Sequence, residues 1–268
     1  MSLTKISGVV IAFNEEAKIG RTLSSLRQVC DEVLVVDSFS TDSTPGICRD
    51  LADRFVQSSW QGYRVQKQFA TDQAAHDWVL SLDADEVLAD DLQSELLAWK
   101  GEEHRSDGYY IPRTALFMGR WIRHTTWYPD FQLRLFRRSK GKWEGGRVHE
   151  SFKLSGSVGK LSGHILHYTY DSVSDFLAQL DRFSGLAAQD LWDAGRRVGL
   201  GHLALHPPAT FLKNFVLKRG FLDGVPGFSV SMLSAFTVFF KYLKLMELQL
   251  AKNQGRKIAD RSGNPPQA

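Results

Sequence analysis

Short apolar runs alternate with amphipathic segments through the first third of the chain. The runs SGVVIAF, EVLVVD, RFVQSS and WVLSL have the length and β-branched content of buried strands. Between them, apolar residues recur at helical spacing, as Ile19, Leu23 and Leu26 do, with Asn14 as the expected cap of that helix and Pro45 in the first turn of the next. Strands that alternate with helices predict an α/β fold, a mostly parallel sheet with helices on both faces.

Three of the predicted strands end in polar or acidic residues. These ends are Phe13-Asn14-Glu15, Asp37-Ser38 and Asp83-Ala84-Asp85. In open α/β sheets the ligand lies outside the carboxyl ends of the strands, so the three ends are expected to converge on one crevice. No GxGxxG follows the first strand and no GxxxxGK[ST] occurs in the chain, which removes the usual support for dinucleotide or P-loop binding.

The segment DWVLSLDADEVL, residues 77–88, places three carboxylates directly after a buried strand. Asp83, Asp85 and Glu86 repel one another, and such a cluster is stable either in water, as an ordinary acidic turn, or around a cation. By itself the segment favours the acidic turn. Its position at the predicted ligand edge favours a site for a metal ion or a charged ligand.

Composition indicates a globular chain that stays in a reducing compartment. Its 268 residues are 43% hydrophobic, enough for one large domain or one domain with an appendage. Cys30 and Cys48 have no metal-type spacing and are predicted to be reduced. The start MSLTKISGVVIAF lacks the features of a signal peptide, so a cytoplasmic location is expected.

The C-terminal part of the chain is both basic and apolar. Residues 205–268 hold nine Lys and Arg against three acids, which gives +6, whereas the whole chain carries +3. The uncharged stretch 224–240 is shorter than the roughly 20 residues that span a bilayer. A helix that lies on an anionic membrane surface is therefore predicted, with a soluble helical subdomain as the alternative. Apolar residues recur there at helical spacing: Phe228, Met232, Ala235, Phe239 and Leu243.

The middle of the chain combines aromatic and basic residues. GYYIPRTALFMG, FQLRLFRRS and GHILHYTY are typical of strands, and a helix is predicted from Ser172 onward. Residues 120–147 hold eight Lys and Arg and two acids, interleaved with three tryptophans. Nucleic acid would suit such a segment, but beside an acidic metal-type cluster a phosphorylated or sugar ligand fits better, because aromatic rings stack on sugars and arginines hold phosphates.

The motifs together resemble a known enzyme family. VVIAFNEEAKIGRTLSSL, VVDSFSTDST and WVLSLDADE look, in this order, like the signature of glycosyltransferase family two, whose fold is the Rossmann-like GT-A fold. YPDFQLRLFRR, WEGGRVHE, HYTY and FLDGVPGF resemble the branch that adds sugars to the inner core of lipopolysaccharide, including its β-glucosyltransferases. The resemblance implies a GT-A domain over residues 1–170, a helical extension over 171–254, and a flexible tail over 255–268.

The resemblance implies roles for the predicted site. A divalent cation, Mg²⁺ or Mn²⁺, would be coordinated by Asp85, with Asp83 bridging through water or holding the ribose, and His167 as a third ligand or a core histidine. The donor, a nucleotide sugar, would be held by this set: Phe13, Asn14, Glu15, Asp37, Lys67, Asp83 and Arg134.

Inversion at the sugar requires a base that takes the proton of the acceptor hydroxyl. Glu150 is the first candidate and Asp130 the second, and either is open to a structural role in an ion pair or a turn. Trp127, Arg137 and His149 would contact the acceptor. Two departures from the family pattern are that Phe39 replaces a glycine in the turn after the second strand, and that Gln68 replaces an asparagine.

The resemblance implies an inverting transfer of a hexose, glucose being the first expectation, from a UDP-linked donor to a lipopolysaccharide core sugar. It also implies no nucleic-acid partner and an enzyme bound peripherally to the inner face of the cytoplasmic membrane. The alternatives are a nucleotidyltransferase or another metal-dependent nucleotide-sugar enzyme, a glycosyltransferase for another glycan or glycolipid, and a module that binds glycans or membranes without catalysis.

Overall fold

Ten strands of the chain form one mixed sheet, and a separate hairpin packs beside it. The structure is a computed structural model, and it describes residues 3–145, 150–170 and 172–254. The strands in chain order are β1 (Ile6–Ala12), β2 (Glu32–Asp37), β3 (Arg54–Gln57), β4 (Trp78–Asp83), β5 (Glu86–Leu88), β6 (Gly108–Phe117), β7 (Arg120–Trp121), β8 (Asp130–Arg137), β9 (Gly141–Gly145), β10 (Glu150–Leu154), β11 (Val158–Lys160) and β12 (Ile165–His167).

The sheet begins with four parallel strands and continues with mixed pairing. Its order is β3-β2-β1-β4-β8-β6-β12-β5, with β7 and β11 paired to β6. β8 runs antiparallel to both β4 and β6, and β12 runs parallel to β6 but antiparallel to β5. Hairpin β9–β10 is antiparallel and separate. The parallel half matches the predicted alternation, and the mixed half matches the strand patterns predicted after residue 107.

Helices cover both faces of the parallel strands. They are α1 (Ile19–Arg27), α2 (Thr44–Leu51), α3 (Tyr63–Gln73) and α4 (Asp90–Trp99). In β2, Val33 and Val35 pack with α1, α2 and α4, whereas Leu34 and Val36 pack with α3 and the hairpin. Because successive strand residues point to opposite faces, the unbroken apolar run VLVV, residues 33–36, contributes to two cores at once.

The sheet curls so that its last strand returns to the middle. β5 follows β4 after only Ala84 and Asp85, and the three Cα steps from Asp83 to Glu86 reach at most about 11 Å. In the sheet order β8, β6 and β12 lie between these strands, a separation of roughly 19 Å if the sheet were flat. The curl therefore places the acidic turn inside the concave end of the sheet, facing β6, β8 and β12.

The C-terminal part is helical and packs on the rim of the sheet. It comprises α5 (Val173–Asp193), α6 (Leu200–Leu212), a π-helical turn (Lys213–Leu217), a 3₁₀ turn (Gly220–Asp223) and α7 (Gly224–Asn253). The hydroxyl of Ser172 caps α5 by accepting from the Asp175 N–H. Phe176 and Val230 pack with Phe117 of β6, which joins the helices to the sheet. The expected boundary near residue 170 stays a prediction, and the expected flexible tail 255–268 lies outside the described residues.

One local expectation differs from the structure. Asn14 does not cap the first helix, because a turn over residues 16–18 intervenes and α1 begins at Ile19 with Lys18 as its N-cap residue. Asn14 instead has a left-handed backbone, with φ of 53°, a conformation in which asparagine is enriched. Pro45 does lie in the first turn of α2, as predicted. Both cysteines are free thiols, Cys48 buried and Cys30 half-buried.

Candidate active site

The loops after β1, β2 and β4 lie side by side at one edge of the sheet. In the parallel register Ala12 pairs with Asp37 and Ile11 pairs with Asp83. The predicted convergence of the three polar strand ends is therefore what the sheet produces. The same edge also receives residues from β6, β8, β12 and the β9–β10 hairpin because of the curl.

Hydrogen bonds tie the first two loops together. The Asn14 side-chain oxygen accepts from the Thr41 N–H at 2.9 Å, and the Asn14 N–H donates to the Ser40 hydroxyl at 2.8 Å. The Glu15 N–H donates to the Thr44 hydroxyl at 2.7 Å. The left-handed turn at Asn14 is thus fixed by the loop that follows β2. Phe13, beside it, is half-buried.

Asp37 holds the second loop in shape. Its carboxylate is buried and accepts from the Ser40 N–H and from Gln57 Nε2, both at 3.0 Å, and from the Ser40 hydroxyl. Phe39, where the family pattern has glycine, adopts φ of 61°. This left-handed conformation costs a phenylalanine roughly 1–3 kcal/mol. The turn expected of glycine is therefore kept, and it leaves a 54% exposed aromatic ring at the ligand edge.

Two of the three carboxylates in the acidic turn are neutralised by cations of the protein. Asp83 contacts Lys67 at 2.9 Å through Oδ1 and Arg134 at 2.6 Å through Oδ2. Glu86 is fully buried and contacts Arg134 at 2.6 Å and Arg113 at 2.7 Å. Burial would raise the pKa of Asp83, but Arg134 and Lys67 outweigh it and hold that pKa well below its usual value. The segment is therefore in large part a buried ion-pair network.

Asp85 is the carboxylate of the turn that is left for a ligand. Its Oδ2 lies 3.1 Å from Nε2 of His167, which comes from β12 across the curl of the sheet. Burial would raise the pKa of Asp85, but the neighbouring His167 outweighs it and lowers the pKa. Within residues 3–145, 150–170 and 172–254, no group of three or more His, Cys, Asp or Glu side chains is arranged to hold a metal ion.

Glu15 reports the negative potential of this edge. Burial first, and then the charges of Asp85 and Asp83, raise the pKa of Glu15 from 4.5 to about 7, against the opposing charge of Lys18. An acid with a raised pKa keeps its proton in the folded state after the unfolded chain has lost it. Folding stability from this group is therefore fully present below about pH 4.5 and lost as the pH rises to about 7.

We expect Glu15→Gln to remove this loss of stability. Relative to the parent, the free energy of unfolding of Glu15→Gln should increase by roughly 1–2 kcal/mol between about pH 4.5 and 7, since partial exposure weakens the effect. Urea unfolding in EDTA at both ends of that range measures it. Glu16→Gln is the control, because glutamine keeps an acceptor for the Ser43 N–H that Glu16 binds at 2.9 Å. Parallel pH profiles of Glu15→Gln and the parent would contradict the assignment.

The two candidate bases are held differently. Glu150, at the start of β10, contacts Lys67 at 2.8 Å through Oε1 alone. Asp130, at the start of β8, receives Arg113 Nε at 2.9 Å and Nη2 at 2.6 Å on Oδ2, and Gln132 Nε2 at 2.6 Å on Oδ1. Both oxygens of Asp130 are therefore occupied, whereas the contact of Glu150 with Lys67 uses only Oε1; within residues 3–145, 150–170 and 172–254 its Oε2 is the more available acceptor of a proton.

Arg137 does not reach the site. It is the partner of Trp78 at the start of β4, its guanidinium lies over the Trp78 ring, and it contacts Asp77 at 3.4 Å. Asp83 is five residues further along β4, roughly 17 Å away at the rise of a strand. β8 runs antiparallel to β4 and carries Arg137 to the opposite edge, so the structure does not bring it to the acidic turn, and its expected acceptor contact stays a prediction.

Trp127 and His149 are the other two residues expected to contact the acceptor. Trp127 lies after β7 and packs in an aromatic cluster with Phe117, Tyr170 and Phe176. His149 lies outside the described residues. Arg113, which the sequence did not single out, joins Glu86 to Asp130 and is a member of the site. Its position in strand β6 carries no local motif that would have revealed it.

The curled α/β sheet with an acidic turn at the carboxyl edge of its parallel strands is the architecture expected of the GT-A fold. The model of glycosyl transferase family 2 matches residues 7–154, so the chain belongs to that family. This confirms the resemblance seen in the sequence motifs.

Relatives of known name agree with the family. The lipopolysaccharide core biosynthesis glycosyltransferase LpsC of Rhizobium meliloti is 30% identical over 92% of this chain and 94% of its own length. An uncharacterized glycosyltransferase of Rickettsia typhi is 32% identical over 92% of this chain and 89% of its own length. Among solved structures, the mannosyltransferase PcManGT from Pyrobaculum calidifontis, in complex with GDP-Man and Mn²⁺, covers 94% of this chain and 81% of its own at 16% identity and a TM-score of 0.48.

Proposed function

We propose that this glycosyltransferase moves a hexose, with glucose as the first candidate, from a UDP-linked donor to a core sugar of lipopolysaccharide with inversion of the anomeric carbon. The observation that carries the proposal is the pairing of Asp85 with His167 beside the buried cations Lys67 and Arg134, at the edge where the loops after β1 and β2 meet. The likeness to LpsC over nearly the whole chain supports the acceptor class.

The residues at this edge suit a divalent cation that is shared with a diphosphate. Asp85 and His167 offer one carboxylate oxygen and one imidazole nitrogen 3.1 Å apart, which are ordinary ligand types for Mn²⁺ and, for the oxygen, Mg²⁺. Two side chains leave most of the coordination sphere to diphosphate oxygens and water. A bound cation would stabilise the negative charge that develops on the leaving diphosphate. Asp83 would act through water, because both its oxygens are taken.

Glu150 is proposed as the base and Lys67 as the cation that meets the diphosphate. Burial would lower the pKa of Lys67, but Asp83 and other partners outweigh it and raise that pKa, so the ammonium stays charged beside the site. Glu150 would accept the proton of the attacking acceptor hydroxyl while the bond between the sugar and the diphosphate breaks. Asp37 and the Phe13–Glu15 loop would frame the nucleoside. Asp130 is the less suited base because Arg113 and Gln132 already bind both oxygens.

The test is a donor panel against extracted lipopolysaccharide core. With UDP-glucose and Mn²⁺ or Mg²⁺, we expect UDP release that requires both the metal and the acceptor, and a product whose new linkage has the inverted configuration by NMR. GDP-mannose and UDP-N-acetylglucosamine are the comparison donors. Transfer from one of these instead would change the donor assignment, and nucleotide addition to a sugar phosphate would favour the nucleotidyltransferase alternative.

The helical part carries the surface proposed to meet the membrane. Residues 212–225, here called the tip segment, expose six apolar side chains beside Lys213, Lys218 and Arg219, and Arg120 contacts the segment through the Leu222 carbonyl at 3.3 Å. The exposed apolar side chains are Leu212, Val216, Leu217, Phe221, Leu222 and Val225. Within the described residues, one helical stretch, Gly220–Asn253, is long and apolar enough to cross a membrane by length and composition. Of its most apolar 18 residues, 28% are buried inside the protein.

The apolar stripe expected in the tail is not the exposed face. Ala235 of that stripe is buried and Met232 and Phe239 are half-buried, while Phe228 and Leu243 are exposed. The large exposed side chains are concentrated in the tip segment, where Leu217 is 77% and Val225 is 68% exposed. We propose that the tip segment, rather than the middle of α7, inserts into the inner face of the cytoplasmic membrane.

We expect the full chain to sediment with vesicles of phosphatidylcholine and phosphatidylglycerol. Each basic residue near the lipid surface should contribute on the order of 1 kcal/mol, and salt should weaken binding without abolishing it, because apolar insertion is not screened. Leu217→Ser combined with Val225→Ser should reduce binding about tenfold or more. Leu200→Ser is the control, since Leu200 is 76% exposed but lies at the other end of α6. Protein that stays in the supernatant at low salt would contradict docking and point to an interface between copies.

A further inference from the structure

The tip segment has a second, buried face that is polar. Asn214 is 0% and Asp223 is 2% exposed, although exposed apolar residues surround both along the chain. A buried carboxylate and a buried amide are expensive unless they are hydrogen-bonded. Their partners identify what this inner face holds.

Four consecutive backbone N–H groups of the loop between β7 and β8 are bound by the tip segment. Asp223 Oδ2 accepts from the Arg123 N–H at 3.1 Å and the His124 N–H at 2.8 Å, and its Oδ1 lies 3.0 Å from His124 Nδ1. The Lys218 carbonyl accepts from the Thr125 N–H at 3.1 Å, and Asn214 Oδ1 accepts from the Thr126 N–H at 3.2 Å. We name residues 123–126 the clamped loop.

The clamped loop holds a conformation that it is not expected to keep alone. Thr125 is fully buried and has φ of 68°. A left-handed backbone is a genuine outlier for a β-branched residue and persists only where the surroundings enforce it. The Thr125 hydroxyl accepts from the Trp127 N–H at 3.1 Å, so the enforced turn continues into the next residue. The tip segment therefore sets the course of the chain up to Trp127.

The clamped loop leads directly into the site. Asp130 begins β8 three residues after Trp127 and pairs with Arg113, which in turn holds Glu86 of the acidic turn. β8 and β6 lie on the side of β4 that faces away from β1 and β2. If the donor is framed by the β1 and β2 loops, the β8 and β6 side is where the acceptor enters.

We propose that Asp223 and Asn214 are positioning residues that template the clamped loop, that is, they fix its backbone conformation. Lipid contact at the outer face of the tip segment and order at the acceptor side are thereby coupled. The lipid part rests on the proposed membrane docking and the acceptor part on the proposed transfer, whereas the templating itself rests on neither. Coupling is reciprocal: if lipid favours the ordered tip segment it favours the clamped loop, and an ordered loop favours lipid binding.

Hydrogen exchange of the full chain tests the templating directly. In Asp223→Ala the amides of Arg123 and His124 lose their acceptor, and we expect their exchange to be about tenfold or more faster than in the parent, while β2 exchanges at the parent rate. Asp223→Asn keeps an acceptor oxygen and should restore most of the protection, with His124 able to donate or accept at Nδ1. Asn214→Ala, a smaller change, should loosen mainly Thr126. Unchanged exchange of residues 123–126 in both alanine variants would overturn the inference.

Vesicles separate the coupling from the docking. In the parent, phosphatidylglycerol-containing vesicles should slow exchange of residues 123–126, and pure phosphatidylcholine, which keeps only the apolar contribution, should slow it less. In Asp223→Ala the clamped loop should stay fast even when the protein sediments with vesicles. Vesicle-bound parent with unchanged loop exchange would overturn the coupling, whereas absence of sedimentation would contradict the docking and remove the coupling with it. Asp223→Ala should also raise KM for the core acceptor several-fold while leaving the affinity for UDP with Mn²⁺ unchanged.

Discussion

Glu150→Gln is expected to lower the turnover of sugar transfer by about 10² to 10⁴-fold while donor affinity stays within a few fold. Glutamine has the shape of glutamate and its amide oxygen can still accept from Lys67 Nζ, which lies 2.8 Å from Glu150 Oε1. It cannot take the proton of the acceptor hydroxyl. The loss should therefore appear in kcat, and titration calorimetry with UDP and Mn²⁺ should show binding like that of the parent.

Glu144→Gln is the matched control for this prediction. Glu144 lies on the paired strand β9, opposite Ser151, and contacts Lys142 at 3.1 Å at the surface. Its change keeps the hairpin and removes one carboxylate, so activity should equal that of the parent. Asp130→Asn separates the two candidate bases. Full activity of Glu150→Gln together with a large loss in Asp130→Asn would transfer the role of base to Asp130.

The convergence of the three strand ends was predictable because it depends on local pattern and one general rule. Apolar runs mark β1, β2 and β4, and parallel strands bring their carboxyl ends to one edge. Asn14, Asp37 and Asp85 each follow or close such a run, so their convergence needs no knowledge of distant contacts. The left-handed turn at Phe39 was not predictable in this way: the sequence shows a departure from the glycine of the family pattern, and only the structure shows that the turn is kept.

The charge partners were not predictable from local pattern. The sequence shows Asp83, Asp85 and Glu86 as one acidic cluster, but it does not show that Arg113 of β6 and Arg134 of β8 reach Glu86. These contacts depend on the curl of the sheet, which in turn depends on strand order. The cluster therefore divides into two structural carboxylates and one available carboxylate, a division that no spacing rule supplies.

Arg134 and Arg137 show how strand direction decides a role. Both were expected at the site because both lie in FQLRLFRRS. Arg134 lies at a register shift of β8 opposite Tyr109 and Tyr110, and the two arginines lie at different heights along β4. Arg134 reaches Asp83 at 2.6 Å, and Arg137 pairs with Trp78 at the far end. A prediction that this segment forms a strand, without the direction of that strand in the sheet, does not distinguish the positions of the two arginines.

The tail shows a similar limit. A basic, apolar and helical C-terminal part was predicted, and the structure has helices there. The bifacial character of residues 212–225 was not predicted, because Asn214 and Asp223 are isolated polar residues in an apolar stretch. Their role becomes clear only from the clamped loop. Asp223 accepts hydrogen bonds from Arg123 and His124 of that loop, which lie 99 to 100 residues earlier in the chain.

Asp83→Ala and Asp85→Ala are expected to affect stability to very different extents although they lie two residues apart. Asp83→Ala removes a carboxylate from the buried cations Lys67 and Arg134, and it should lower the free energy of unfolding by about 3 kcal/mol. Asp85→Ala removes a charge that repels Glu15 and Asp83, at the loss of one contact to His167. Its free energy of unfolding in EDTA should stay within about 1 kcal/mol of the parent.

Asp85→Ala should nevertheless abolish transfer, with a loss of about 10³-fold or more, because the leaving diphosphate loses its cation. Since the protein offers few side-chain ligands, Mn²⁺ should raise the melting temperature of the parent markedly only together with UDP, and this joint effect should vanish in Asp85→Ala. Asp91→Ala is the matched control: Asp91 pairs with His164 at 2.8 Å toward the other end of the β5–β12 ladder, so it breaks the same kind of contact away from the site. If Asp85→Ala melts far below the parent in EDTA while Asp91→Ala does not, Asp85 is a structural member of the ion-pair network and the cation must be held elsewhere.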